Sequence, residues 1–318
     1  MVTRVHVLQV LMSWSIVCLG LPLTGASADQ PWDELLGRVH QLYEQERYGE
    51  AQTAADGALA FAHDAFGPEH TNTADALNNL AAIHRAQGHY VEAEEFFLKA
   101  LEINEKVLGP SHPDLATDLS NLGGVYYAQQ KYLLAESLLK RALHNLEPQA
   151  ADRRPELVAC LNNLADVYAA EGRHDEAEQL YRRPVQMAEE EHGADHPAVA
   201  DPLNQLAAFY ADSGRTREAE RVYLRIIDTM ERAYGADHQT VAVALNNLAL
   251  LYTREKKYAK AEPLFRQAAA IVTGFGESAR PDILATLDNY ADLLRKIGKK
   301  EEAEVLEANA ANLRTRIR

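Results

Sequence analysis

Apolar and small residues recur along this chain at intervals of three and four. Between Leu77 and Ala100 the residues Leu77, Leu80, Ala81 and His84 fall at i, i+3, i+4 and i+7, one face of a helix. Beyond Gly88 a second stripe, Ala93, Phe97, Ala100 and Leu101, keeps the same period. The stretch predicts a helix, a short turn and a second helix. Ala93 also belongs to a longer series. Ala51, Ala93, Ala135, Ala177, Ala219, Ala261 and Ala303 stand 42 residues apart, with no insertion or deletion between them. A strict period of this length marks a repeat array, in which each helix pair buries its apolar face by stacking on its neighbours. The pattern predicts an all-α chain of seven antiparallel helix pairs, A and B, one per unit.

The turns and linkers carry their own signals. Gly88, Gly172, Gly214 and Gly298 separate helix A from helix B, where a left-handed residue closes a tight turn. Glu46, Gln130 and Lys256 hold that place in the first, third and sixth units, so a left-handed turn is not required there. Between units stand Leu108-Gly109-Pro110-Ser111-His112-Pro113, His192-Gly193-Ala194-Asp195-His196-Pro197 and Tyr234-Gly235-Ala236-Asp237-His238. Glycine ends one helix and proline opens the next. Two prolines break the register. Pro184 falls inside helix B of the fourth unit, where it bends the axis and weakens the joint. Pro202 falls inside helix A of the fifth, where the helix is expected to restart with Asp201 as its N-cap. The two define a candidate hinge.

The third unit reads Leu119, Leu122, Gly123, Tyr126, Ala135 and Ala142, and the sixth reads Leu245, Leu248, Ala249, Tyr252, Ala261, Phe265 and Ala268. With the LNNLA runs at Leu77, Leu161 and Leu245 and the linkers above, the chain resembles tetratricopeptide repeats of the kinesin-light-chain type. The resemblance spans about residues 31–318. It implies a right-handed α-solenoid over residues 29–318. Its helices A would line a concave groove that binds an extended protein or peptide segment, as a scaffold or adaptor. A structural array that assembles with copies of itself in an envelope complex is the alternative. No heptad stretch precedes the repeats, so motor transport is not implied.

Helix interiors disfavour asparagine, so its recurrence in helix A needs a tertiary or binding reason. One series is Asn79, Asn121, Asn163, Asn247 and Asn289. A second, one residue earlier, is Asn78, Asn162, Asn204 and Asn246, with Ser120 in the third unit. By resemblance these residues, with Arg85 and Tyr127, face the groove and grip a bound backbone. The other reading is an amide ladder that bonds adjacent repeats.

Charge narrows the partner. The chain carries a net −15, against the concentrated Lys and Arg that nucleic acid requires. The implied groove lacks the basic cluster that grips acidic tails, which leaves a neutral or basic partner. No catalytic motif is present, and an enzyme is not expected. Neither is a cofactor or a metal. His70, His112, His196 and His238 recur one repeat, about 10 Å, apart, whereas one zinc ion gathers its nitrogens within about 2.1 Å. They read as residues that cap or pack at each start of helix A. Beyond Cys18 the single Cys160 has no disulfide partner and reads as a small apolar residue.

Residues 1–28 differ from the rest. Arg4 precedes an apolar stretch, and Ala26-Ser27-Ala28 offers a small-residue cleavage site. This is the pattern of a bacterial signal peptide, and it predicts a periplasmic or secreted protein without membrane insertion after cleavage. The competing reading is an anchor formed by residues 5–23.

Overall fold

The computed structural model describes residues 30–276 and 281–316; the segment read as a signal peptide lies outside them. Among the described residues there are fourteen α-helices, short 3-10 turns and no strand. The first three pairs are α1 Gln30–Glu44 with α2 Tyr48–Ala65, α3 Thr71–Ala86 with α4 Tyr90–Leu108, and α5 Leu115–Ala128 with α6 Tyr132–Leu146. The fourth and fifth are α7 Arg154–Ala170 with α8 His174–His192, and α9 Ala200–Asp212 with α10 Thr216–Tyr234. The last two are α11 Gln239–Arg254 with α12 Tyr258–Phe275, and α13 Ala285–Lys296 with α14 Lys300–Arg316. The fold class is the all-α helix-pair array expected from the 42-residue period.

The chain forms two compact units, one ending at Leu180 and the other starting at Tyr181, inside α8. In the first, α1 to α7 each pack on their sequence neighbours, and the helices A α1, α3, α5 and α7 also touch in succession. In the second, α9 to α14 pack likewise, and α11 touches α13. All seven alanines of the 42-residue series are fully buried. Small residues let helices A and B approach. A β-carbon on Gly123 of α5 would stand 3.3 Å from Leu139 Cγ of α6, a close approach; the same column holds a buried alanine in Ala81, Ala165, Ala207, Ala249 and Ala291.

One expectation about the turns is corrected. Glu46, Gln130 and Lys256 are left-handed, with φ of 56°, 60° and 57°, like the glycines in the other repeats. Backbone hydrogen bonding explains this. Lys131 N donates to Tyr126 O at 2.8 Å and Gln130 N to Tyr127 O at 2.9 Å, the paired bonds that close a helix end through one left-handed residue. Lys257 N and Lys256 N make the same pair to Tyr252 O and Thr253 O. Helix B of each repeat can fold back only through this geometry, and it overrides the β-carbon penalty of about 1 kcal/mol or more. Gln130→Gly and Lys256→Gly are therefore expected to raise stability by about 0.5–1 kcal/mol each. Urea unfolding of the two variants measures this, and a loss of stability in both would contradict it.

Of the linker histidines, His70 and His238 are the N-caps of α3 and α11, His196 caps the 3-10 turn before α9, and His112 caps the turn before α5. His70, His112, His196 and His238 accept through Nδ1 from the backbone N–H of Asn72, Asp114, Ala198 and Thr240 at 3.1, 3.2, 3.2 and 3.3 Å.

The prolines act less simply than the register suggested. Helix α8 runs on through Pro184. The expected restart at Pro202 is shifted. A 3-10 turn, Pro197–Val199, leads into α9, which begins at Ala200 with Val199 at the N-cap and no side-chain cap. Asp201 and Pro202 thus lie within the first turn. There the missing proline N–H costs nothing and the carboxylate favours the positive end of the helix dipole.

Candidate partner-binding face

Helices A supply the candidate face. In the first compact unit it is built around two carboxylates. Asp118 of α5 is 3% exposed, and both its oxygens are used: Asn78 Nδ2 of α3 donates to Oδ1 and Asn104 Nδ2 of α4 to Oδ2, each at 2.7 Å. Burial pushes its carboxyl up, and the Asn104 and Asn78 donors pull it back. Asp75, on α3 one turn before Asn78 and Asn79, is half-buried. Among the described residues its carboxylate makes no hydrogen bond and no ion pair. Burial, then the charge of Asp118, pushes it up to about 7. Two acids thus share one end of this face, one satisfied and one not.

The asparagines divide between the two readings. In the second compact unit the ladder is present. Asn247 Nδ2 of α11 donates to Asn204 Oδ1 of α9 at 3.3 Å, and Asn289 Nδ2 of α13 donates to Asn246 Oδ1 of α11 at 3.0 Å. Each bond joins the first series in one repeat to the second series in the repeat before it. In the first compact unit the first series is buried, and Asn79 Nδ2 bonds back to Asp75 O at 3.0 Å. Asn121 and Asn163 are buried beside it in register, and Asn163 Oδ1 has no partner. The second series there bonds forward by a different route: Asn78 to Asp118, and Ser120 Oγ to Cys160 Sγ of α7 at 2.9 Å. Asn162 Oδ1 is buried with no hydrogen-bond partner.

Arg85 and Tyr127 lie half-buried at the far end of α3 and of α5. The Arg85 guanidinium is desolvated, which pulls it down, and it bonds the Tyr43 hydroxyl of α1. Tyr127 packs 5.7 Å from Tyr132, and burial, then the charge of Asp166, pushes its phenol up.

Sequence reasoning missed several polar groups. Asn104 lies on helix B, and Asp118 stands where other repeats have Ala76, Cys160, Pro202, Ala244 and Thr286. That substitution of an acid into a small-residue column is the one signal it offered. The inter-repeat struts were also missed. Glu94 takes Lys131 at 3.0 Å, Glu136 takes Arg173 at 3.1 Å, and Glu262 takes Lys299 at 2.6 Å, each from one helix B to the following turn.

Comparison with known proteins fixes the class. The tetratricopeptide repeat family model matches residues 34–106, 76–147, 157–232, 199–274 and 240–316. The chain belongs to the tetratricopeptide repeat family, whose fold is generally a protein-interaction scaffold. Among solved structures it is similar to nearly identical kinesin-light-chain TPR-like repeats from Podosopora anserina. The identity is 20% and the TM-score 0.58, over 66% of this chain and 99% of that one. It is also similar to the apo quorum sensor NprR from B. thuringiensis, at 14% identity and TM-score 0.52, over 91% and 89%. A tetratricopeptide repeat protein from Parabacteroides merdae matches at 19% identity and TM-score 0.50, over 89% and 93%. These likenesses concern the fold. No curated protein matches the sequence.

Proposed function

We propose that this chain is a non-catalytic scaffold that binds an extended, neutral or basic protein segment along its helices A. The observation that carries the reading is Asp75. A carboxylate that is half-buried, unpaired and next to a second acid is costly to keep charged. A perturbed acid of this kind, held by burial and a second charge, is a candidate for a functional site. One turn along α3 the Asn78 amide oxygen is buried with no donor, and so is that of Asn162 at the same register position on α7. The face offers acceptors in surplus, which suits a ligand rich in donors: backbone N–H groups and lysine or arginine side chains.

Fluorescent peptides of alternating Ala-Lys, Ala-Ser and Ala-Glu, titrated into the full chain, test this. The Ala-Lys probe is expected to bind most tightly and the Ala-Glu probe least. Asn162→Ala, which removes an amide oxygen that has no partner, should weaken the Ala-Lys probe about tenfold with helicity and melting temperature unchanged. Preference for the acidic probe would overturn the charge assignment. Binding of none, with self-association that grows with concentration, would favour the self-assembling alternative.

A further inference from the structure

The four linker histidines share one contact, and that contact depends on the proton. In each, the ring Nδ1 accepts a backbone N–H two residues on. The same residue's carbonyl accepts the next amide: Thr73 N to His70 O at 2.9 Å, Leu115 N to His112 O at 3.2 Å, Val199 N to His196 O at 3.1 Å and Val241 N to His238 O at 3.0 Å. Three of the rings also stack on the residue four places earlier, at the end of the preceding helix B. Phe66 lies 5.2 Å from His70, His192 lies 4.9 Å from His196, and Tyr234 lies 4.7 Å from His238. An imidazole that accepts at Nδ1 is neutral and carries its proton on Nε2. Protonation places an N–H on both nitrogens, so the acceptor becomes a donor that faces the backbone donor; at His238 the Thr240 hydroxyl, 2.9 Å away, can then accept from it. It also sets a positive charge at the positive end of a helix. Both effects work against the cap.

We propose that these four histidines are proton-sensitive caps: neutral, they hold the first turn of α3 and α11 and the turns that lead into α5 and α9, and protonated, they release them. The released turn comes just before the first residue of the candidate face, Asp75 in α3 and its counterparts Thr117, Asp201 and Val243. Acid would therefore loosen that face from four places at once. The charged surroundings grade the response. His112 Nδ1 lies 3.6 Å from an Asp114 oxygen, and Asp114 is itself paired with Arg153, so part of the imidazolium charge is offset there. Near His70, Glu69 is shared with Lys106 at 3.4 Å. His238 holds the Thr240 hydroxyl at 2.9 Å, with Asp237 next in the chain. His196 faces His192, whose own carboxylate neighbour is Glu191 at 3.8 Å. Around that linker Arg225 holds the Ala194 carbonyl, and Asp195 lies 3.9 Å from Arg232. The cap at His112 is expected to respond least, because Asp114 faces its ring.

The proposal does not depend on what the chain binds. The test is amide hydrogen exchange on the full chain between pH 8 and pH 5, corrected for intrinsic rates. The chain is compared with a variant carrying His70→Asn, His112→Asn, His196→Asn and His238→Asn, since asparagine caps a helix without titrating in this range. In the wild type, amides at 71–75, 114–117, 198–201 and 239–243 should lose protection about fivefold on acidification. The variant should keep it. Equal losses in both proteins, or none in the wild type, would overturn the proposal. If the fourfold variant does not fold, the His238→Asn single variant is scored at 239–243 against the three unaltered caps of the same molecule.

Discussion

Asparagine in place of Asp75 is expected to raise stability at pH 8 by on the order of 2–4 kcal/mol. The carboxyl of Asp75 rises from 3.8 to about 7 in the folded chain, through burial first and the Asp118 charge second. A tenfold change in proton affinity is worth about 1.36 kcal/mol, and partial exposure of the side chain trims the total. The sign follows from proton binding. Between the unfolded value of 3.8 and the folded value of about 7, the folded chain holds a proton that the unfolded chain has released. This contribution is full at low pH, falls as pH rises through that window, and stays lost above it. The variant cannot ionise, so its stability should be nearly flat across the same window as far as this site is concerned. Urea unfolding of both proteins at a series of pH values gives the comparison. A variant no more stable than wild type at pH 8 would mean that Asp75 is solvated or paired in solution. The same substitution is expected to weaken the Ala-Lys probe, so stability and binding should move in opposite directions at this residue.

The second large effect is at Pro184. Proline has no N–H to give the Leu180 carbonyl, and its ring crowds that oxygen, at a cost of about 3 kcal/mol in a helix interior. Helix α8 nevertheless continues to His192, and the chain divides into its two compact units at Leu180 and Tyr181. Pro184→Ala is expected to raise stability by about 1–3 kcal/mol, the lower figure reflecting lost contacts of a buried ring. It should also slow hydrogen exchange, mainly in residues 174–215. Uniform protection across all seven repeats of the wild type would show that no weak segment exists there.

Much of the fold was legible because it is periodic. One alanine column located every helix B, and the LNNLA runs located helix A, since helix packing reads residue size at fixed spacing. Left-handed turns at Glu46, Gln130 and Lys256 were not legible from residue type, because helix-end hydrogen bonds dictated them against local preference. The start of α9 was misplaced by two residues, since a 3-10 turn absorbed Pro197 and left Pro202 inside the first turn. At the candidate face, the recurrence of asparagine was readable but its partners were not. Asn204 and Asn246 join a ladder while Asn78 reaches Asp118, and the choice depends on what stands 40 or 43 residues later in the neighbouring repeat. The isolation of Asp75 could not be read at all, because it depends on which side chains fail to reach it.

The even spacing has a further consequence for how such a chain can change length. In the second compact unit the Asn247 amide that meets Asn204 and the Asn289 amide that meets Asn246 hold the same place in successive repeats. Arg215 N and Lys257 N likewise donate to Tyr210 O and Tyr252 O, at 2.7 and 2.8 Å. A splice that joins Gly214 directly to Lys257 removes one full period. It leaves Asn204 in register with Asn289, and the Lys257 amide in register with Tyr210 O. Unequal crossing-over between such segments yields a shorter or longer array whose joints are already made. The array can thus gain or lose reach in whole steps, while an insertion of any other length must break a ladder bond, a helix-end turn or both.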